Sequence, residues 1–258
     1  MHHPQWNRIG VCGIVEPAMH SNHSLKIRKL MIALATGLYL SGLSVTPSVM
    51  AVELDFNISA PTSGTISYGG LGGALTGTSI EVDNVVGLST PLNSNVTSTC
   101  VNCVLNFTSG TLSGSGGGSN NWWRFGSGGT ITITGGVTFQ SGPDIPSSPP
   151  SALLSGTFDS AFVQDLGVQG FKVTFGTFSD TKHPVLLNYY GLDPSAQFQG
   201  ALSLLFAAPD GGIGSAFSST SVFSGNVVNT IAAVPVPGAA LLFASGLSAM
   251  ACFRRRLA

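Results

Sequence analysis

Between residues 52 and 233 apolar and polar side chains alternate in short runs, and no stretch of ten residues there carries a helical period of 3.6. Alternation at period two puts every second side chain on one face of a sheet, so each run predicts a strand with one buried face. Val52–Ile58 alternates over its whole length. Thr78–Val86 sends Ile80 and Val82 one way and Glu81 and Asp83 the other. Further strands are expected at Gly64–Tyr68, Cys103–Leu112 (with Gly110 as a bulge), Thr130–Thr134, Leu153–Val163, Phe171–Phe178, Phe198–Phe206 and Ser221–Ile231. Val185–Tyr190 is a short apolar run among them.

Glycine and proline clusters separate these runs. Gly69–Gly73 reads as a turn, Ser113–Asn121 as a flexible loop, and Gly135–Gly136 as a two-residue hairpin turn from which Val137–Gln140 returns. Ser141–Ser151 holds Pro143, Pro146, Pro149 and Pro150 and reads as a long surface loop. Many short strands with such turns predict an all-β fold: an antiparallel β-sandwich or jelly-roll-like body spanning 52–233. No repeat of fixed period argues for a solenoid.

Composition enters through charge. Charged residues are 8% of the chain and glycine supplies 34 of its 258 residues. The net charge of −1 hides a segregation. Seven of the ten basic residues lie outside 52–233, which keeps only Arg124, Lys172 and Lys182 against ten acids, a net charge of −7. Such a body does not attract nucleic acid or an anionic membrane surface.

Both ends differ from the body. Residues 1–18 read as a non-native or disordered extension, with Met19 as the natural start. Lys26, Arg28 and Lys29 then precede an apolar stretch from Leu30 to Val45, and Ser48-Val49-Met50-Ala51 offers small or apolar residues for cleavage after Ala51. Residues 19–51 therefore read as a secretory signal peptide. At the other end, Val234-Pro235-Val236-Pro237 halts any strand or helix. The uncharged run Gly238–Phe253 follows, and as a helix it would span roughly 24 Å, somewhat short of a hydrocarbon core of about 30 Å, a difference that Pro237 and the snorkelling arginines make up. Arg254, Arg255 and Arg256 close the pattern with positive charge that stays on the cytoplasmic side.

That order of proline motif, apolar span and arginine cluster, in residues 234–258, resembles the PEP-CTERM sorting signal of Gram-negative bacteria, in a Val-Pro-x-Pro form with Val236 where the usual motif has Glu. The resemblance implies a transmembrane helix, handling by a membrane protease of the exosortase type, and transient residence in the inner membrane. It further implies release to the cell surface or an extracellular matrix or biofilm rich in polysaccharide. Looser likenesses at 105–110, 129–137 and 180–192 are to bodies often fused to such signals, and imply a secreted β domain without an assigned activity.

For chemistry the body offers little. Cys100 and Cys103 are its only cysteines. A thioredoxin-like centre needs the pair at a helix start, and strand follows here; zinc needs four ligands, and His183 is the only body histidine. The remaining reading is a local disulfide in an oxidising compartment, which requires a turn at Val101-Asn102 because positions i and i+3 of a straight strand face opposite ways. Neither a Gly-x-Ser-x-Gly elbow nor a phosphate-binding glycine motif occurs. The ten acids leave open a glycosidase pair or a calcium loop, with no Asp-x-Asp-x-Asp-Gly pattern to mark one. No cofactor is expected. Trp122-Trp123 and Tyr189-Tyr190 are the remaining candidates: one ring of each pair should enter the core, and the other is free to contact a glycan. The expected function is that of a non-enzymatic exported surface or matrix protein. A secreted carbohydrate-binding module is the alternative, and a secreted glycan hydrolase the third.

Overall fold

The computed structural model describes residues 51–118, 120–167, 170–209 and 214–231, all within the compact unit Val49–Ala258. The strands are β1 (Glu53–Ile58), β2 (Thr65–Tyr68), β3 (Ala74–Leu88), β4 (Thr97–Gly116), β5 (Trp122–Phe125), β6 (Gly129–Thr138) and β7 (Ser151–Phe158). They continue with β8 (Ala161–Asp165), β9 (Phe171–Phe175), β10 (Phe178–Lys182), β11 (Phe198–Ala207), β12 (Phe217–Ser218) and β13 (Ser221–Ile231). Among the described residues one helix, α1 (Pro184–Tyr190), lies between β10 and β11.

All pairings are antiparallel, and they close on themselves. Both β1 and β2 pair with one edge of β3, so together they are one interrupted strand. The same holds for β5 with β6 along β4, for β7 with β8, for β9 with β10 along β11, and for β12 with β13. The thirteen described strands thus reduce to eight, and each pairs with its neighbours in sequence. The last meets the first through Glu53↔Thr230 to Ile58↔Gly225. This is an up-and-down closed sheet. The all-β antiparallel expectation stands, with wall packed on wall around one core. The jelly-roll connectivity does not, because a jelly roll needs long connections that skip neighbours.

An eight-stranded barrel is just wide enough for side chains to fill its interior. Here three inward glycines make room for phenyl rings on the adjacent strand: Gly77 faces Phe107, Gly129 faces Phe158 and Gly200 faces Phe178. A Cβ at any of these glycines would lie 2.1 to 2.3 Å from the facing ring. Phe175 fills the gap between, stacked 4.0 Å from Phe158 and edge-on to Phe107 at 4.8 Å. Each of these buried rings contributes roughly 1.5–3 kcal/mol through burial.

Three local expectations are corrected. Gly135-Gly136 is not a hairpin turn but lies inside β6. Both glycines are needed for close approach: a Cβ on Gly135 would meet the Cys103 backbone at 2.6 Å, and one on Gly136 would meet Ile145 O at 2.6 Å. The loop 139–150 folds back on that strand through the Val137↔Ile145 bridge. Val185–Tyr190 belongs to a helix, with Pro184 in its first turn, His183 as N-cap and left-handed Gly191 as C-cap. The Ser113–Asn121 loop is shorter than expected, since β4 runs on to Gly116.

Chain entry, chain exit and the α1 connection share one pole, where Ile231 N donates to Val52 O at 3.1 Å. The glycine-rich connections after β2, β4, β8 and β11 lie at the other. Among the described residues no helix is long and apolar enough to cross a membrane; residues 1–50 and 232–258, on which the expected leader and the expected C-terminal span fall, lie outside them.

Candidate functional site: the outer face of β5, β8 and β9

Alternation in β5 drives Trp123 and Phe125 fully into the core and leaves Trp122 and Arg124 outside. Across the sheet, Arg124 pairs with Phe162 and then Thr174, while Trp122 pairs with Gln164 and then Lys172. The Trp122 indole stacks with Phe162, ring centres 6.1 Å apart and planes 26° from parallel. It lies over Gly114 and Gly116 of β4, and a Cβ on Gly116 would come within 2.6 Å of it. The result is a half-buried aromatic pair flanked by two cations. Neither cation has an acidic partner within 4.0 Å among the described residues.

The same three chain segments continue as β6, β7 and β10. Their outer face forms a shallow groove of about 450 Å³ lined by Thr130, Thr132, Ser155, Thr157, Ser179 and Thr181. Of these six hydroxyls only Thr181 Oγ1 donates to a described group, Ser155 O at 3.3 Å. The wall thus carries aromatic rings and cations at one end and a row of hydroxyls at the other.

The four expected aromatic residues divide as anticipated. Trp123 and Tyr190 are 0% exposed, and Trp122 and Tyr189 stay half-buried at the surface. They do not form one site. Tyr189 and Tyr190 belong to α1 at the opposite pole. Tyr190 is structural: its hydroxyl lies 3.1 Å from the Val85 and Val96 carbonyls, to which it can donate, and 3.3 Å from Ser98 Oγ. Burial pushes its phenol up to about 12. Tyr189 stacks on Phe139 at 4.1 Å and lines an apolar pocket of about 330 Å³ with Leu92, Pro143 and Val185.

Cys100 and Cys103 are both thiols in the structure. The turn their pairing requires is present: β4 bulges at Val101-Asn102, where Asn102 has φ 54° and the register with β6 slips. The neighbouring Cys103 thiol, and then burial, raise the Cys100 thiol, while the same contact lowers that of Cys103. Cys103 Sγ also sits 3.1 Å from Gly136 O.

The other candidates serve the fold. His183 Nδ1 accepts from Val185 N at 3.3 Å as the cap of α1. Asp83, Asp144, Asp165 and Asp193 each accept a backbone amide within 2.9 Å, and those bonds pin loops. Asp180 faces inward on β10 and pairs with buried Lys182, whose ammonium also sits 3.8 Å over the Phe198 ring. Burial outweighs their attraction for both, raising Asp180 and lowering Lys182 to about 8. Among the described residues no three metal-ligating side chains gather. Ala51 is exposed ahead of β1; Pro235, Pro237, Arg254, Arg255 and Arg256 lie outside the described residues. Sequence reasoning missed Arg124, Phe162 and Lys172, because only the register of β5, β8 and β9 brings them to one patch. No family model, curated protein or solved structure matches the chain.

Proposed function

We propose that the chain is an exported, non-enzymatic surface or matrix protein whose barrel is freed from two removable flanks. A secretory leader carries it out of the cytoplasm. A C-terminal span ending in Arg254–Arg256 holds it in the inner membrane until an exosortase-type protease cuts near Pro235-Val236-Pro237. The observation that supports this best is the closure of the barrel. Because β1 and β13 are paired neighbours, the segments before Val52 and after Ile231 leave from one pole, side by side. Every pairing among the described strands survives cutting outside Val52 and Ile231, whereas a fold whose terminal strands sat in the core would lose core on trimming. The interior, filled by phenyl rings, suits a durable shell. In the oxidising exterior a disulfide-bearing donor takes two electrons and two protons from Cys100 and Cys103, joining them across the bulge at Val101-Asn102.

The intact mass of the protein recovered from culture medium tests this. The expected species begins at Val52, ends near Pro235–Pro237 and lacks the two thiol hydrogens. A secreted species that still carries Arg254–Arg256 would overturn the sorting step, and one that still carries residues before Val52 would overturn the leader.

A further inference from the structure

We infer that the outer face of β5, β8 and β9 binds an acidic polysaccharide, with Trp122 and Phe162 stacking on a sugar ring and Arg124 and Lys172 pairing with its carboxylates. The charge layout motivates the choice of ligand. Four outward acids, Glu53, Asp55, Glu81 and Asp83, sit on β1 and β3. The patch centres on the strand formed by β7 and β8, four places round the barrel from β1 and three from β3; Arg124 on β5 is only two places from β3 but displaced along the wall, since Glu81 pairs with Val104 of β4 and Arg124 with Gly114. Arg124 and Lys172 are the only cations among the described residues that reach solvent, since Lys182 is buried. That both fall on one patch, either side of the aromatic pair, places the attraction for an anion at a single location.

The net charge of the body opposes an anionic polymer only at long range. At physiological ionic strength the screening length is about 8 Å, so the acids across the barrel are largely silenced while contacts at the patch persist. The wall itself carries Asp159 in the break between β7 and β8 and Asp165 at the end of β8, and Asp165 is engaged by Gly167 N at 2.7 Å. Arg124 offers the planar donor fork that matches a carboxylate, and Lys172 a second positive point two strands away, with Phe162 between. Stacked rings present the flat apolar face that one side of a pyranose requires. The hydroxyl groove on β6, β7 and β10 extends the track along the same chain segments for further rings of the polymer. This inference depends on the exported-matrix reading only for where the polymer is met.

Binding of a short oligomannuronate to the purified full-length protein, followed by tryptophan fluorescence and calorimetry, tests it. Saturable binding is expected, weakened by added salt, with a neutral cello-oligosaccharide bound at least tenfold more weakly. The double variant Arg124→Gln/Lys172→Gln should weaken oligomannuronate binding about tenfold or more while leaving the melting temperature unchanged, because both side chains are at the surface. Trp122→Phe should retain binding and Trp122→Ala should lose it. Equal affinity for the neutral sugar, or an unaltered affinity in the double variant, overturns the proposal. So does wild-type self-association that the double variant disperses and oligomannuronate does not, because the cations would then be meeting the acidic wall of a second copy. A protein that binds oligomannuronate but retains both flanks in the cell sinks the export reading alone. A trimmed, secreted protein indifferent to oligomannuronate sinks this one alone.

Discussion

The two poles of the barrel are closed by different physics. At the glycine-loop pole the plug is a cluster of rings: Trp123 contacts Phe171 and Phe217, which stack in turn on Phe206, while Tyr68 packs edge-on to Phe125. At the pole where the chain enters and leaves, the plug is α1, held by the Tyr190 hydroxyl, and the strand ends there bury the Asp180–Lys182 pair and Asn229. The first kind of closure is non-directional and scales with area. The second is directional, and each buried polar group needs a partner. Asp180 Oδ2 and Asn229 Oδ1 lack one among the described residues, so the polar pole carries the less well satisfied interior. The aromatic pole should therefore dominate stability, and the polar pole should dominate the response to pH and to conservative changes.

The largest expected effect is Trp123→Ala, about 3–5 kcal/mol by chemical denaturation, since it empties the centre of the ring cluster. Trp123→Phe should cost much less. It keeps a ring and removes an indole N–H that is buried without a partner. Were the two variants equally destabilised, the plug would not be an area effect.

At the polar pole, Lys182→Met should cost about 3 kcal/mol, because it strands a buried carboxyl. The double change Asp180→Leu/Lys182→Met should restore stability to the wild-type value or above it, the signature of a buried pair that fixes geometry more than it stabilises. A double variant no better than the single one would contradict this. Tyr190→Phe follows, at about 1–2 kcal/mol, from losing a hydroxyl with three neighbours while the ring stays. It should also raise hydrogen exchange in the 89–96 loop, whose Val96 carbonyl loses its tie to α1.

The same contrast explains what was legible in the sequence. Ser221–Ile231 and Val52–Ile58 were visible almost to the residue because each has one face in the core and one outside. The closure was not, since alternation states which side chains point inward and not which strand lies next. Seven residues of α1 are too few to show a helical period, although Pro184 and Gly191 mark its ends. Gly135-Gly136 misled because close approach and turning both ask for glycine, and only the neighbouring Cys103 and Ile145 backbones distinguish them. The division of Trp122 from Trp123 was legible from parity alone. The patch around Trp122 was not, because Phe162 and Lys172 join it only through the register with β8 and β9.

The smallest effect sharpens the comparison from outside both poles. Asp55 lies on the outer face of β1, where partial burial, and then repulsion from Glu53, push its carboxyl up to about 6. Its Oδ1 has no partner among the described residues. A carboxyl raised on folding adds stability that is fully present below its ordinary pKa near 3.8 and is lost as pH rises through about 6. Wild-type stability should therefore decline between pH 4 and 7 by about 1 kcal/mol, a figure discounted from the full linkage value because the group is partly solvated. Asp55→Asn should remove that decline and leave the variant the more stable protein at pH 7 and little changed at pH 4. If wild type and variant showed parallel pH profiles, the decline would have to come from Asp180 in the interior, the other carboxyl that folding raises, and the polar pole would then govern the acid response of the whole barrel.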